Sequence, residues 1–289
     1  MTSHAVLATG VSSAADCPIT QTKNVLTRQA RLCREELDIV CRALSHDLRA
    51  PVRSIEGFSQ VVLESICEKL DAQTASYFQR VIKASQELGG LLDGLLQLTR
   101  ITRHVMHKKV VDLSGMAQHV VARIRSFNPG RNVKVTIMPE LCAFGDPMLL
   151  KLALEQLFEN AWKFTQSQGG PEISFGGKRS ETDSIFYLSD NGMGFDMAYY
   201  GRLFGVFERL HVPSDLPGHG IGLAIVKRIL QRHGGTVWAK ATPALGACFW
   251  FTLPHHATHE TTTVHSHDRR QQQRRDACSD RAGEAACQI

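Results

Sequence analysis

Between residues 37 and 62 apolar side chains return at three- and four-residue steps: Leu37, Val40, Cys41, Leu44, Leu48, Val52, Ile55 and Val62. That spacing matches a helical period of about 3.6 residues and predicts a long amphipathic helix, with helical texture beginning at Asn24. Lys69-Leu70-Asp71 interrupts it. A second stripe follows, made of Phe78, Val81, Leu88, Leu91, Leu92, Leu95, Leu98 and Ile101. Two such helices joined by a short turn form a hairpin. One hairpin is too thin to bury both stripes, so the pattern predicts pairing with a second copy into a four-helix bundle.

After His107 the texture changes to mixed α and β. NVKVTIM (132–138) alternates like a half-buried strand, and EISF and SIFYLS read as a strand pair with a turn between them. Asp146 opens the periodic stretch PMLLKLALEQLFENAWKF, with Pro147 in its first turn, a good helix start. A glycine-rich piece and its helix occupy 218–233; His233-Gly234-Gly235 stops that helix, and TVWAKA and GACFWFTLP follow as two closing strands. Four segments result: a flexible leader (1–22), a helical hairpin (23–106), an α/β domain (107–254) and an aperiodic tail (255–289). The tail carries five histidines, five basic and five acidic residues, and reads as disordered.

Composition narrows the partners. Of 289 residues, 43% are hydrophobic and 21% charged, ordinary for a globular protein. The net charge of +5 is spread along the chain, which argues against nucleic acid as a partner. No apolar run is long enough for membrane insertion. The opening MTSHAVLATGVSSAADC has no Lys or Arg before Lys23, unlike a secretory signal. Eight cysteines, at 17, 33, 41, 67, 142, 248, 278 and 287, lack CxxC or His-paired spacing; they read as reduced thiols of a cytoplasmic protein.

Four stretches carry chemistry. In SHDLRAPV (45–52), Pro51 removes a helical hydrogen bond beside His46, and Asp47 is placed to orient that imidazole as a nucleophile. LEQLFENAWKFT (154–165) sets Asn160 and Lys163 on one helix face, an amide for a hard cation beside an ammonium for phosphate oxygens. DNGMGFD (190–196) gives a carboxylate at a strand end followed by two glycines. In LPGHGIGLAIV (216–226), Gly218, Gly220 and Gly222 precede a helix, where backbone N–H groups can surround a phosphate. Each stretch alone also fits a solvated helix face or a common turn.

With LFGVFERLH (203–211) between the last two, these stretches resemble the H, N, G1, F and G2 boxes of sensor histidine kinases of two-component systems, in the family's order. Phe207 to Pro254 is similar to the kinase module of phytochrome-type sensors, and the resemblance covers about residues 30–254. It implies a dimerisation and phosphotransfer hairpin followed by an ATP-binding α/β sandwich of the gyrase/chaperone/histidine-kinase type. It further implies that His46 is the phosphoacceptor, Asp47 its hydrogen-bond partner, Asn160 the Mg²⁺ ligand and Lys163 a phosphate contact. Phe164 would pack near adenine, Asp190 would accept from the adenine amino group, and Gly192 and Gly194 would lie close to the ring. Phe207 and Arg209 would belong to a mobile lid, Arg209 stabilising charge on the γ-phosphate. Gly218, His219, Gly220, Gly222 and Leu223 would form the triphosphate loop. The implied partners are a second copy of the chain, the receiver domain of a response regulator, and an upstream sensor protein or region, since the leader is too short for a sensory domain.

Three departures qualify the resemblance. Gln156 stands where the family usually has asparagine, and His219 replaces a Ser or Thr, so His219→Thr is expected to tighten ATP binding or speed autophosphorylation. Ala50 stands where members that dephosphorylate their partner have Thr or Asn, which predicts weak phosphatase activity. Among rival readings, a dinucleotide oxidoreductase needs GxGxxG tight after a strand, whereas this loop is GxGxG after VPSDLP. A gyrase- or chaperone-type ATPase would have no use for SHDLRAP. A degenerate kinase acting as a dimeric scaffold is disfavoured by the retained His46, Asn160, Asp190 and glycines and kept open by His219; labelling with ATP separates it from an active one.

Overall fold

Two antiparallel helices and a helix-covered sheet meet around a buried aspartate and the arginines of the last helix. The computed structural model describes residues 18–65, 70–179, 183–210 and 218–254. The leader up to residue 17, the tail from 255, Lys69 of the expected hairpin turn, and residues 211–217, which end LFGVFERLH and begin LPGHGIGLAIV, lie outside these residues. Helix α1 spans Pro18–Ser65 and runs through Pro51; it begins six residues before the helical texture expected from Asn24. Helix α2 spans Ala72–Arg103, and the Asp71 carboxylate caps it by accepting from the Thr74 N–H at 2.6 Å. The hairpin buries little for its length: Val52, Leu92 and Leu96 are sealed, whereas Val40, Leu48, Ile55, Phe58 and Val61 stay exposed.

The α/β domain begins with β1 (Lys109–Asp112), which pairs antiparallel with β3 (Cys142–Gly145). Between them lie α3 (Leu113–Phe127) and β2 (Lys134–Ile137). Then come α4 (Pro147–Phe164), β4 (Glu172–Arg179), β5 (Asp183–Asp190), a short 3-10 helix (Met197–Arg202), α5 (Gly222–His233), β6 (Val237–Thr242) and β7 (Gly246–Pro254). The main sheet runs β2-β4-β5-β7-β6; β2 and β4 are parallel and every other pair is antiparallel. β5 alternates strictly between partly exposed and buried positions, so Phe186 and Leu188 enter the core, where Leu154, Leu157, Phe158, Val226 and Leu230 meet them. Phe158 of α4 meets Phe175 of β4 edge-on, with ring centroids 5.8 Å apart.

The expected strands and the helices at 147–164 and 222–233 are present. Gly234, at φ 83°, ends α5 in the left-handed conformation, and its N–H returns to the helix. The sequence reading missed β1, β3 and α3. The two strands have four residues each, too short for a period to register, and α3 starts directly on Asp112, the last residue of β1.

Asp146 joins the two parts. Its Oδ1 accepts from the N–H groups of Met148 and Leu149 at the start of α4. Its Oδ2 accepts from the His107 N–H at 2.8 Å and meets Nε2 of His104, the residue that closes α2, at 3.0 Å. Burial pushes this carboxyl up, but the His107 and Leu149 N–H groups and His104 outweigh it and hold the group at about 2. Arg232 of α5 adds hydrogen bonds to the carbonyls of Ile101 and His104. No helix among the described residues is long and apolar enough to cross a membrane.

Candidate active site

Helices α4 and α5, the end of β5 and one face of α2 surround a cavity of about 600 Å³. Asn160 and Lys163 line it from the last turns of α4, whose other face seals Leu154, Leu157, Phe158 and Ala161 in the core. Burial, reinforced by the charge of Arg209, pushes the Lys163 ammonium down to about 8. Its Nζ also lies 4.4 Å from the centroid of the Phe164 ring, within cation–π range.

Asp190 also lines the cavity, only 7% exposed, where β5 stops. Its Oδ1 accepts the Gly192 N–H at 2.9 Å. Burial pushes the carboxyl up to about 6, against the lowering effect of the Gly192 and Ala247 N–H groups. Such a group can accept a hydrogen bond from an amino substituent in a largely apolar recess, which Phe195 and Phe249 help to line. Gly194 has φ 60° and its Cα faces the Thr242 carbonyl too closely for any side chain.

Gly218, His219, Gly220, Gly222 and Leu223 line the same cavity, together with Arg209. Gly220 has φ 69°, and an added Cβ would stand 2.6 Å from the carbonyl oxygen of Glu208. The loop therefore lies against the segment that carries Arg209 and opens α5 at Gly222. Gln156, whose longer reach set it apart in the sequence, lines the cavity beside Asn160. Gly192 lies behind the wall, and neither it nor Phe207 reaches the cavity surface.

His46 and Asp47 are not at the cavity. They lie on α1, 84% and 77% exposed, with His46 Nδ1 at 3.1 Å from Asp47 Oδ1. A proton on Nδ1 donated to that carboxylate leaves Nε2 with its lone pair outward, the form a nucleophilic imidazole requires. Sequence reasoning missed one whole wall, formed by Gly90, Asp93, Gly94 and Gln97 of α2. Their spacing marks a single helix face, and two of the four are glycines in a helix interior.

Comparison with known proteins matches both parts. Residues 40–104 match the His Kinase A (phospho-acceptor) domain, and residues 145–257 match the histidine kinase-, DNA gyrase B- and HSP90-like ATPase family. The two domains, in this order, support a sensor histidine kinase catalytic module. Phytochrome-like protein Cph1 of Synechocystis sp. is 27% identical over 231 residues, covering 79% of this chain and 30% of that protein. The methanogenesis regulatory histidine kinase FilI of Methanothrix harundinacea is 29% identical over 226 residues, 76% of this chain and 25% of its own length. The chain thus spans about a third or less of these relatives. The structure of full-length ShkA in complex with AMPPNP matches with a TM-score of 0.52 and 26% identity, over 74% of this chain and 45% of that one.

Proposed function

We propose that the chain uses ATP to phosphorylate His46 and then donates the phosphoryl group to an aspartate in the receiver domain of a response regulator. The observation that carries this reading is the cavity itself, lined by the buried Asp190, by apolar residues such as Phe195 and Phe249, and by Lys163 beside the glycine loop. A carboxylate that accepts an amino group and a partly buried ammonium beside backbone N–H groups suit the two ends of ATP. ShkA, which shares this fold, was captured with AMPPNP.

In the reaction, His46 Nε2 attacks the γ-phosphorus as the bond to the ADP oxygen breaks, and the Nδ1 proton remains on the ring, held by Asp47. Lys163, Arg209 and the N–H groups of the 218–223 loop balance charge on the phosphates; positioning and charge stabilisation carry most of the rate in such transfers. Among the described residues no cluster of His, Cys, Asp or Glu could cage a metal by itself. A lone amide such as Asn160 fits Mg²⁺, which keeps much of its coordination for phosphates and water and supplies neutralisation of their charge. Asp190 orients the base and Phe164 lies beside Lys163 in the cavity wall.

The exposed apolar residues of α1, Phe58 at 72% foremost, support a homodimer through a four-helix bundle. The absence of a membrane-crossing helix among the described residues is consistent with a cytoplasmic setting, where an upstream sensor region or protein supplies the input. Incubation with γ-labelled ATP tests the reading. Acid-labile, alkali-stable label that disappears in His46→Gln supports it. ATP binding without label on wild type would instead favour the scaffold alternative.

A further inference from the structure

The last turn of α4 carries Lys163 and Phe164, and a helix end leaves its final four carbonyls without intrahelical donors. Here each of them finds one. Ala161 O accepts from the Thr165 N–H at 3.2 Å and from the buried Thr165 hydroxyl at 2.8 Å. Lys163 O accepts from the Gln166 N–H, also at 3.2 Å. Phe164 O accepts at 3.0 Å from the Met193 N–H, in the loop that follows Asp190. Trp162 O takes a donor from farther away, Arg131, which lies in the connection between α3 and β2.

Arg131 grips this helix end with its whole guanidinium. One nitrogen donates to the Trp162 carbonyl and another to Oγ1 of Thr165 at 2.9 Å. The guanidinium carbon lies 5.3 Å from the centroid of the Trp162 ring, within cation–π range. An arginine fork matches two acceptors so placed, and a cation suits the negative end of a helix. Trp162 and Thr165 are 5% and 0% exposed, so water is poorly placed to replace this donor. Arg131 itself lies outside the cavity wall.

We propose that Arg131 is a positioning residue for nucleotide binding: it keeps the last turn of α4 wound and so holds Lys163 and Phe164 in the wall of the cavity. Trp162 directly precedes Lys163, and Phe164 O ties the same turn to Met193, which also lines the cavity. Unwinding the turn therefore displaces the ammonium and the loop after Asp190 together. It also returns Lys163 to water and removes the burial that, with the charge of Arg209, holds its ammonium at about 8. The part that concerns phosphate rests on the role given to Lys163 above; the part that concerns the helix end does not.

The test compares the full chain with Arg131→Gln, which removes fork and charge, and with Arg131→Lys, which keeps the charge alone. Leu253→Ala, which weakens the core from the end of β7, controls for lost stability. Hydrogen exchange reads the helix end. The Thr165 and Gln166 amides should exchange about tenfold faster in Arg131→Gln, while those of Leu154–Phe158 stay unchanged. Calorimetric titration of ADP against pH reads the consequence. The alkaline loss of affinity, centred at about 8 in wild type, should move up toward the ordinary lysine value of 10.5. The expected move is about one pH unit in Arg131→Gln, less in Arg131→Lys and none in Leu253→Ala. Affinity at neutral pH should fall about fivefold in Arg131→Gln. Unchanged exchange at Thr165 and Gln166 overturns the clamp. Faster exchange with the alkaline limb still at about 8, or a limb that Leu253→Ala moves equally, overturns its role in placing Lys163. If Arg131→Gln does not fold, Arg131→Lys decides both points by the same two readings. A wild type with no alkaline limb, or a limb that Lys163→Gln leaves in place, sinks the phosphate contact instead, and exchange still decides the clamp.

Discussion

The helical hairpin and the α/β domain bury their apolar residues in opposite ways. The domain closes its core within one chain: Leu154, Leu157, Phe158, Leu188 and Ile225 are each at most 2% exposed. The hairpin, with far more helix per core residue, leaves Ile55 at 49% and Phe58 at 72% exposed. Apolar positions repeat with equal regularity in both. Periodicity therefore reports which face seeks cover, and the number of layers available decides whether the chain can supply it. The domain has a sheet to cover its helices; the hairpin has none.

Substitutions can break that contrast. The largest effect on stability is expected from Leu154→Ala, which should cost about 2–5 kcal/mol by removing packed methyl groups from a core that cannot refill the space. Chemical denaturation followed by tryptophan emission measures it. An equal loss from Ile55→Ala in a dilute, monomeric sample would mean that the hairpin also completes its core alone. Phe58→Glu should shift the chain from dimer to monomer in light scattering and leave ADP affinity unchanged. A variant that stays dimeric places the interface elsewhere.

A smaller effect concerns pH and the cavity alone. Asp190, raised to about 6 by burial, should be ionised to accept the adenine amino group, so ADP affinity falls as pH drops through about 6. Lys163, lowered to about 8, loses its charge as pH rises, so affinity falls again above about 8. The limit is about tenfold per pH unit for each group. Calorimetric titration of ADP across this range should show a plateau between the two values. Asp190→Asn should flatten the acidic side only and Lys163→Gln the basic side only; a profile that neither substitution alters contradicts the roles assigned to these two residues. The folded domain itself gains stability as Asp190 protonates, because its raised value makes the charged form the costly one; that stability is present below about 4 and lost as pH rises through about 6.

Much of the domain could be read from local signals that tertiary packing did not override. Asp146 and Pro147 announce α4, and Gly234 ends α5 with the expected left-handed turn. What stayed hidden was either short or distant. β1 and β3 have only four residues each and owe their existence to pairing across the chain. The cavity residues 160 to 223 could be grouped because their motifs have a fixed order. The α2 wall was not grouped with them, because it belongs to none of those motifs. His219 shows the difference best. Sequence alone framed it as a missing hydroxyl near phosphate, whereas the structure places its ring against Gly90. A glycine pair four apart inside a helix was the available signal.

The separation of His46 from the cavity makes one measurement decisive for the account as a whole. Purified wild type and His46→Gln, incubated with γ-labelled ATP and Mg²⁺, should bind nucleotide equally well, because His46 lies outside the cavity wall. Only wild type should retain acid-labile, alkali-stable phosphate. Label that persists in His46→Gln, or a wild type that binds ATP and never takes label, would contradict it.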